Sequence, residues 1–181
     1  MNADDEILEQ VRAQFSPGRL PLTAPPEAVA ELEEAVGHPM PVLLKRIYLE
    51  VADGGFGRWG EALSLTDDSY SFSDSGPLLE EYLTVWRSRP SHPAPIVPLL
   101  TWGCAIWSFV DFSTPEGRMW GWDPNQRCLR HALFPEDLAL AQRLVGWLNG
   151  GEEDYPQPLP IADCVECAPD VEAPSGVLRL K

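Results

Sequence analysis

Val42-Leu43-Leu44-Lys45-Arg46-Ile47-Tyr48-Leu49-Glu50-Val51-Ala52-Asp53-Gly54-Gly55-Phe56-Gly57 is the pivot of this 181-residue chain. Val42, Leu43, Ile47, Tyr48 and Val51 recur at three- and four-residue steps, which gathers them on one face of a helix. The cluster Asp53-Gly54-Gly55-Phe56-Gly57 then predicts a stop. Glycine adopts positive backbone angles without steric cost, so Gly54 and Gly55 are expected to end the helix in a tight turn, with Asp53, Gly54 and Gly55 serving as structural residues.

Upstream of that stretch the sequence predicts two more helices. Ile7, Leu8, Val11 and Phe15 share a face over Asp5 to Phe15, before Ser16-Pro17-Gly18 interrupts. Pro26 suits a first helical turn, where a missing amide donor is harmless, and Val29, Leu32 and Val36 continue the period to Gly37. Downstream, Ala62-Leu63-Ser64-Leu65-Thr66 alternates like a short half-buried strand. A polar loop with Asp67, Asp68 and Asp74 comes next. Leu78, Leu79, Tyr82, Leu83 and Trp86 then restore the helical period up to Pro90.

From Ile96 the pattern changes. Strands are expected over Ile96 to Thr101, Cys104 to Phe112, Gly117 to Trp122 and Cys128 to Phe134, joined by short Gly-, Pro- and Asp-rich connections that make an antiparallel meander. Trp102, Trp107, Phe109, Phe112, Trp120 and Trp122 decorate it, and an aromatic stripe of this kind is more often core than ligand platform. Trp120 and Trp122 fall on one face of their strand. Pro135-Glu136-Asp137 reads as the start of a last helix, with Leu138, Ala141, Leu144, Val145 and Leu148 inward until Gly150-Gly151. The division expected is one α+β domain over residues 1–150 and an acidic, Pro-rich tail over 151–181, in which Val177, Leu178 and Leu180 can dock back on the domain.

The chain has 28 Asp and Glu against 13 Lys and Arg, a net charge of -15. Such a field repels nucleic-acid phosphates and anionic membranes, so direct binding to either is not expected. Acidity most often serves solubility, and its electrostatic complement is a basic partner. No apolar run approaches the length of a membrane span, and the start Met1-Asn2-Ala3-Asp4-Asp5-Glu6 lacks the features of a secretion signal, so a cytoplasmic location is expected.

Chemistry-bearing patterns are sparse. Cys164-Val165-Glu166-Cys167 is half of a zinc or redox motif whose other half is missing, so no metal and no cofactor are expected. Gly54-Gly55-Phe56-Gly57 follows a helix and is not followed by one, which argues against a phosphate-cradling loop. His38, His92 and His131 lack metalloprotease spacing, and no Gly-x-Ser-x-Gly elbow occurs. Asp111 and Asp123 are a conceivable carboxylate pair, in a chain where two such acids are expected by chance. No residue set converges on a mechanism, so the chain is not read as an enzyme.

The order of these features resembles the SUKH superfamily, proteins similar to a fungal cell-wall assembly regulator. Met40-Pro41 matches a Leu-Pro-like start, Leu43-Leu44-Lys45-Arg46-Ile47-Tyr48 matches a helix whose Leu-Tyr-like step leads to the small-residue turn at Asp53, Gly54 and Gly55, and Pro98-Leu99-Leu100-Thr101-Trp102-Gly103 matches a Pro-Leu-x-x-x-Gly-like element. The resemblance spans roughly Glu27 to Asp123. It implies an α+β fold in which helices pack on an antiparallel, strongly twisted meander. It also implies a bacterial immunity protein that binds and neutralises a cognate toxin domain, such as a basic nuclease, without chemistry of its own. The alternative it implies is a regulatory scaffold with no toxin partner. Interface hot spots favour aromatics, with charges that steer association. The residues expected at the partner surface, near the sheet's open face, are therefore Asp67, Asp68, Asp74, Trp102, Glu116 and Trp120.

Overall fold

Backbone hydrogen bonding in the meander organises the molecule. The computed structural model describes residues 2–15, 22–67, 75–90, 92–125, 129–151 and 156. Strands β1 (Ile96–Gly103), β2 (Ile106–Asp111), β3 (Arg118–Trp122) and β4 (Leu133–Ala139) pair antiparallel in the order β1-β2-β3-β4. Around them lie α1 (Ala3–Gln14), α2 (Pro26–Val36), α3 (Val42–Glu50), α4 (Leu78–Glu81) and α5 (Leu140–Leu148). The class is α+β, and the buried apolar residues from Ile7 in α1 to Leu144 in α5 form one contiguous core.

Local chemistry fixes the helix ends. The first helix begins two residues earlier than its apolar period suggests. Asn2 accepts the Asp5 amide at 2.8 Å and the Asp5 carboxylate accepts the Asn2 amide at 3.1 Å, a reciprocal cap that satisfies donors a helix start leaves open. Helix α3 ends at Glu50, before the glycines, because the Val51 and Ala52 amides both turn back to the Ile47 carbonyl. Gly54 and Gly55 do hold positive φ, but they shape the next turn and do not cap the helix. Helix α4 widens over Tyr82–Trp86 into a π-helical turn, where the Arg87 amide reaches the Tyr82 carbonyl at 2.7 Å.

The pairings Trp107↔Trp122 and Phe109↔Trp120 put these four rings on one face of the sheet, while Ser108↔Gly121 and Val110↔Met119 occupy the other. On the first face Trp86 lies edge-on to Trp107, Phe109 and Trp122, with centroids 5.6, 4.7 and 5.4 Å away. Its indole N–H donates to Glu81, and the Arg89 guanidinium lies 4.1 Å from its ring and 4.7 Å from that of Trp122. Each such edge-to-face pair adds about 1 kcal/mol to simple burial. On the second face α5 packs Leu144 and Trp147 towards Leu100 and Trp102, and Pro41 at the start of α3 sits beside Gly117 and Val110. Helical segments therefore lie against both faces, which corrects the expectation of an open one.

Three expected boundaries move. Cys104 and Ala105 form the two-residue turn between β1 and β2, with φ of 51° and 60°, so β2 begins at Ile106. Ala62–Thr66 is not a regular strand, since only Ala62 bridges to Leu100 and Ser64 is as buried as Leu63 and Leu65. Pro135-Glu136-Asp137 belongs to β4 and not to the last helix. Pro135 is exposed on this edge strand, where a missing donor costs little, while Glu136 turns inward. Helix α5 starts at Leu140, where the Gln142 side chain accepts the Ala139 amide at 2.8 Å.

Glu136 is ion-paired with Arg143 inside the protein, tying β4 to α5. Its Oε1 has no hydrogen-bond partner among the described residues, and burial raises its pKa above the ordinary 4.5 despite the attraction of Arg143. An acid whose folded pKa is raised contributes stability that is present below the unfolded value and lost as pH rises through the folded one. Relative to Glu136→Gln, the native protein is therefore expected to lose stability as pH rises upward from about 4.5. Urea midpoints of both proteins across that range check this; a native protein that gains on the variant would show that Arg143 outweighs burial.

Candidate functional site

The turn after α3 is built around one buried carboxylate. Asp53 Oδ1 accepts the Leu65 amide at 2.7 Å, and Oδ2 accepts the Ser64 hydroxyl at 2.8 Å, the Thr66 hydroxyl at 2.5 Å and the Thr66 amide at 3.2 Å. Hydrogen bonds from backbone and hydroxyl donors replace the water the charge has lost. The Asp53 amide donates to the Leu22 carbonyl, and the Tyr48 hydroxyl to the Leu63 carbonyl at 2.8 Å. Burial, aided by the Asp53 charge, pushes the Tyr48 phenol well above its usual range, so it stays a donor.

Gly54 is required here. Its φ is +83°, and a Cβ would stand 2.6 Å from the Ser64 nitrogen and 2.8 Å from the Leu63 carbonyl carbon, both backbone atoms that cannot swing aside. With the chains this close, the Gly55 amide reaches Ala62, and the Leu63 amide reaches Leu99 on the outer edge of β1. The Thr101 amide returns to Glu61. The turn thus covers an edge strand that would otherwise present unpaired amides.

A second carboxylate shapes the adjoining loop. Glu61 is only 3% exposed, and its two oxygens accept the Arg58 amide at 3.1 Å and the Trp59 amide at 2.7 Å. The carboxylate fills the space beside Gly57, whose φ is +104° and where a Cβ would fall 2.6 Å from it. At the tip of this loop Trp59 is 61% exposed, with the Arg58 guanidinium 5.1 Å from its ring. Arg58 also donates to the Gly151 carbonyl at 3.1 Å, just beyond α5. Beside the loop, Phe56, Leu100, Trp102, Leu144 and Trp147 line a small apolar pocket with Arg143 at its wall and a free volume of about 10 Å³, enough for one water.

Of the residues expected at a partner surface, the four described ones, Asp67, Trp102, Glu116 and Trp120, do not form one patch. Trp102 is half-buried on the α5 face, with its indole N–H donating to Ser108 at 2.9 Å. Trp120 lies half-buried on the opposite face, its Nε1 buried without a partner among the described residues. Glu116 is exposed in the β2–β3 connection, at the far end of the sheet from Trp102. Asp67 is exposed where the turn segment ends, its amide donating to Ser64. Asp68 and Asp74 lie outside the described residues, as do Cys164, Cys167 and all of the acidic tail except Gly151 and Pro156.

Asp111 and Asp123 stand at opposite ends of the β2–β3 hairpin, roughly 15 Å apart by strand rise, beyond the spacing of a glycosidase pair. Each is occupied by its own turn: Asp111 takes Ser113, and Asp123 takes Asn125. His92 is half-buried, its Nε2 2.6 Å from the Ile96 carbonyl; that nitrogen must therefore carry the proton, and burial lowers the pKa of the ring. Among the described residues no group of three or more His, Cys, Asp or Glu could hold a metal ion, and no helix is long and apolar enough to cross a membrane. Trp59, Glu61 and the Glu136–Arg143 pair are functional candidates that periodicity and motif spacing do not reveal. The only local signal for the first two is a pair of glycines, Gly57 and Gly60, bracketing Arg-Trp.

Comparison with protein-family models, with curated proteins and with solved structures finds no match.

Removing the central carboxylate by Asp53→Ala strands the buried Leu65 amide and Ser64 hydroxyl, and is expected to cost on the order of 3 kcal/mol. Gly54→Ala is expected to cost at least about 2 kcal/mol through a strained φ and the contact with Ser64. Chemical denaturation of each variant measures both losses; a change under about 0.5 kcal/mol in either would show that the turn does not hold the fold.

Proposed function

We propose that this chain is a non-catalytic binding protein of the SUKH type, an immunity protein that neutralises a cognate toxin domain. The observation that carries this reading is how the carboxylates of the glycine turn are used. Asp53 and Glu61 are buried and committed to backbone and hydroxyl donors, so the turn acts as a scaffold and not as a source of acid, base or nucleophile. Recognition then falls to the surface of a chain whose net charge is -15. Such a field favours a basic partner, draws it in by steered association and rejects acidic competitors. A basic toxin domain fits that chemistry. The order of helix pair, glycine turn and Trp-bearing meander supports the resemblance to the SUKH superfamily.

Co-expression with the toxin-like domain encoded by the adjacent gene tests the reading. The chain is expected to restore growth and to co-purify with that domain, with Kd rising on the order of tenfold or more between low and high salt. Growth arrest that the chain does not relieve, without complex formation, would overturn the pairing and leave regulation as the function to pursue. A complex indifferent to salt would remove the electrostatic part alone.

A further inference from the structure

Resting on this binding reading, we propose that the Arg58–Trp59 loop is the anchor of the partner interface, and that its occupant is a basic protein domain which buries the Trp59 indole. Trp59 is the one exposed aromatic among the large exposed apolar side chains of the described residues; the others, such as Leu22, Val42 and Leu129, are scattered aliphatics. A tryptophan left 61% in water gains the isolated chain little, whereas Trp and Arg together are the residues most enriched where interface energy concentrates.

The loop is also built to hold that position before binding. Glu61 fixes the amides of both Arg58 and Trp59, the Gly60 amide donates to the Gly57 carbonyl at 3.2 Å, and the Ala62 amide closes the base on Phe56 at 3.0 Å. A side chain presented by a backbone already ordered loses little further entropy on docking. Arg58 braces the ring and is itself tied to Gly151, so the pair acts as a unit. The half-buried Trp102 and Trp147 share the adjoining pocket with Gly57 and Glu61, extending the apolar ground beneath the loop. The charge of -15 selects the partner: a basic domain is drawn in at long range, and Trp59 supplies the contact that water leaves last.

The test measures binding of the adjacent toxin-like domain to the native chain and to Trp59→Ala, Trp59→Phe and Leu129→Ala, with thermal melting as the check on folding. Trp59→Ala is expected to weaken binding at least about 30-fold at unchanged melting temperature, Trp59→Phe to retain most of it, and Leu129→Ala to bind as the native chain does. Hydrogen exchange on the native complex gives a readout without mutation: the amides of 56–61 are expected to slow on binding. Native binding that Trp59→Ala leaves intact, or exchange at 56–61 that does not change, overturns the loop's role while sparing the binding reading. A native chain that does not bind the domain overturns both. Self-association that Trp59→Ala abolishes, seen by sedimentation, would make the occupant a second copy and overturn the basic partner.

Discussion

The fold depends on one buried negative charge satisfied by hydroxyl and backbone donors. Asp53 lies where α3 has ended and the chain must reverse, and its two oxygens gather donors from Ser64, Leu65 and Thr66. A carboxylate withdrawn from water is costly unless several hydrogen bonds replace its hydration, and here four do. Because those donors lie eleven to thirteen residues downstream, satisfying the charge also fixes the segment that runs along the outer edge of β1. Gly54 makes this possible by letting the two backbones meet where any Cβ would intrude.

A second carboxylate repeats the device at shorter range. Glu61 gathers the amides of Arg58 and Trp59, and through Thr101 its own backbone joins β1. The two together convert a glycine-rich segment, which alone would carry high conformational entropy, into a fixed ledge beside α5. The buried Glu136–Arg143 pair then locks α5 to β4 on the same side of the sheet. Each of the three acids sits inside the protein at a junction between elements.

The parts of this arrangement that are legible in the sequence are those set by periodicity. Val29, Leu32 and Val36, or Leu43, Ile47 and Tyr48, declare their helices because burial repeats with the helical turn. The meander shows through its aromatic and β-branched runs. Local signals mislead where tertiary contacts override them. Pro135-Glu136-Asp137 has the composition of a helix start, yet Glu136 is drawn inward by Arg143 seven residues away, which holds the segment extended. Ser64 breaks the alternation of Leu63 and Leu65 because its hydroxyl belongs to Asp53. Trp102 and Trp120 look equivalent as candidate anchors, but strand register sends them to opposite faces. Trp59 escapes notice in the sequence because nothing local announces that Glu61 will fold back and hold it out.

The most direct measurement of the central claim, that the Asp53 carboxylate belongs to the core and not to a mobile surface turn, is native-state hydrogen exchange monitored by NMR. The amides of Leu65, Gly55 and Leu63, bonded to Asp53, Ala62 and Leu99, are the reporters. They are expected to exchange only through global unfolding, with the same opening free energy as amides in β2. Exchange of these amides through a local opening, several kcal/mol easier than that of β2, would contradict it.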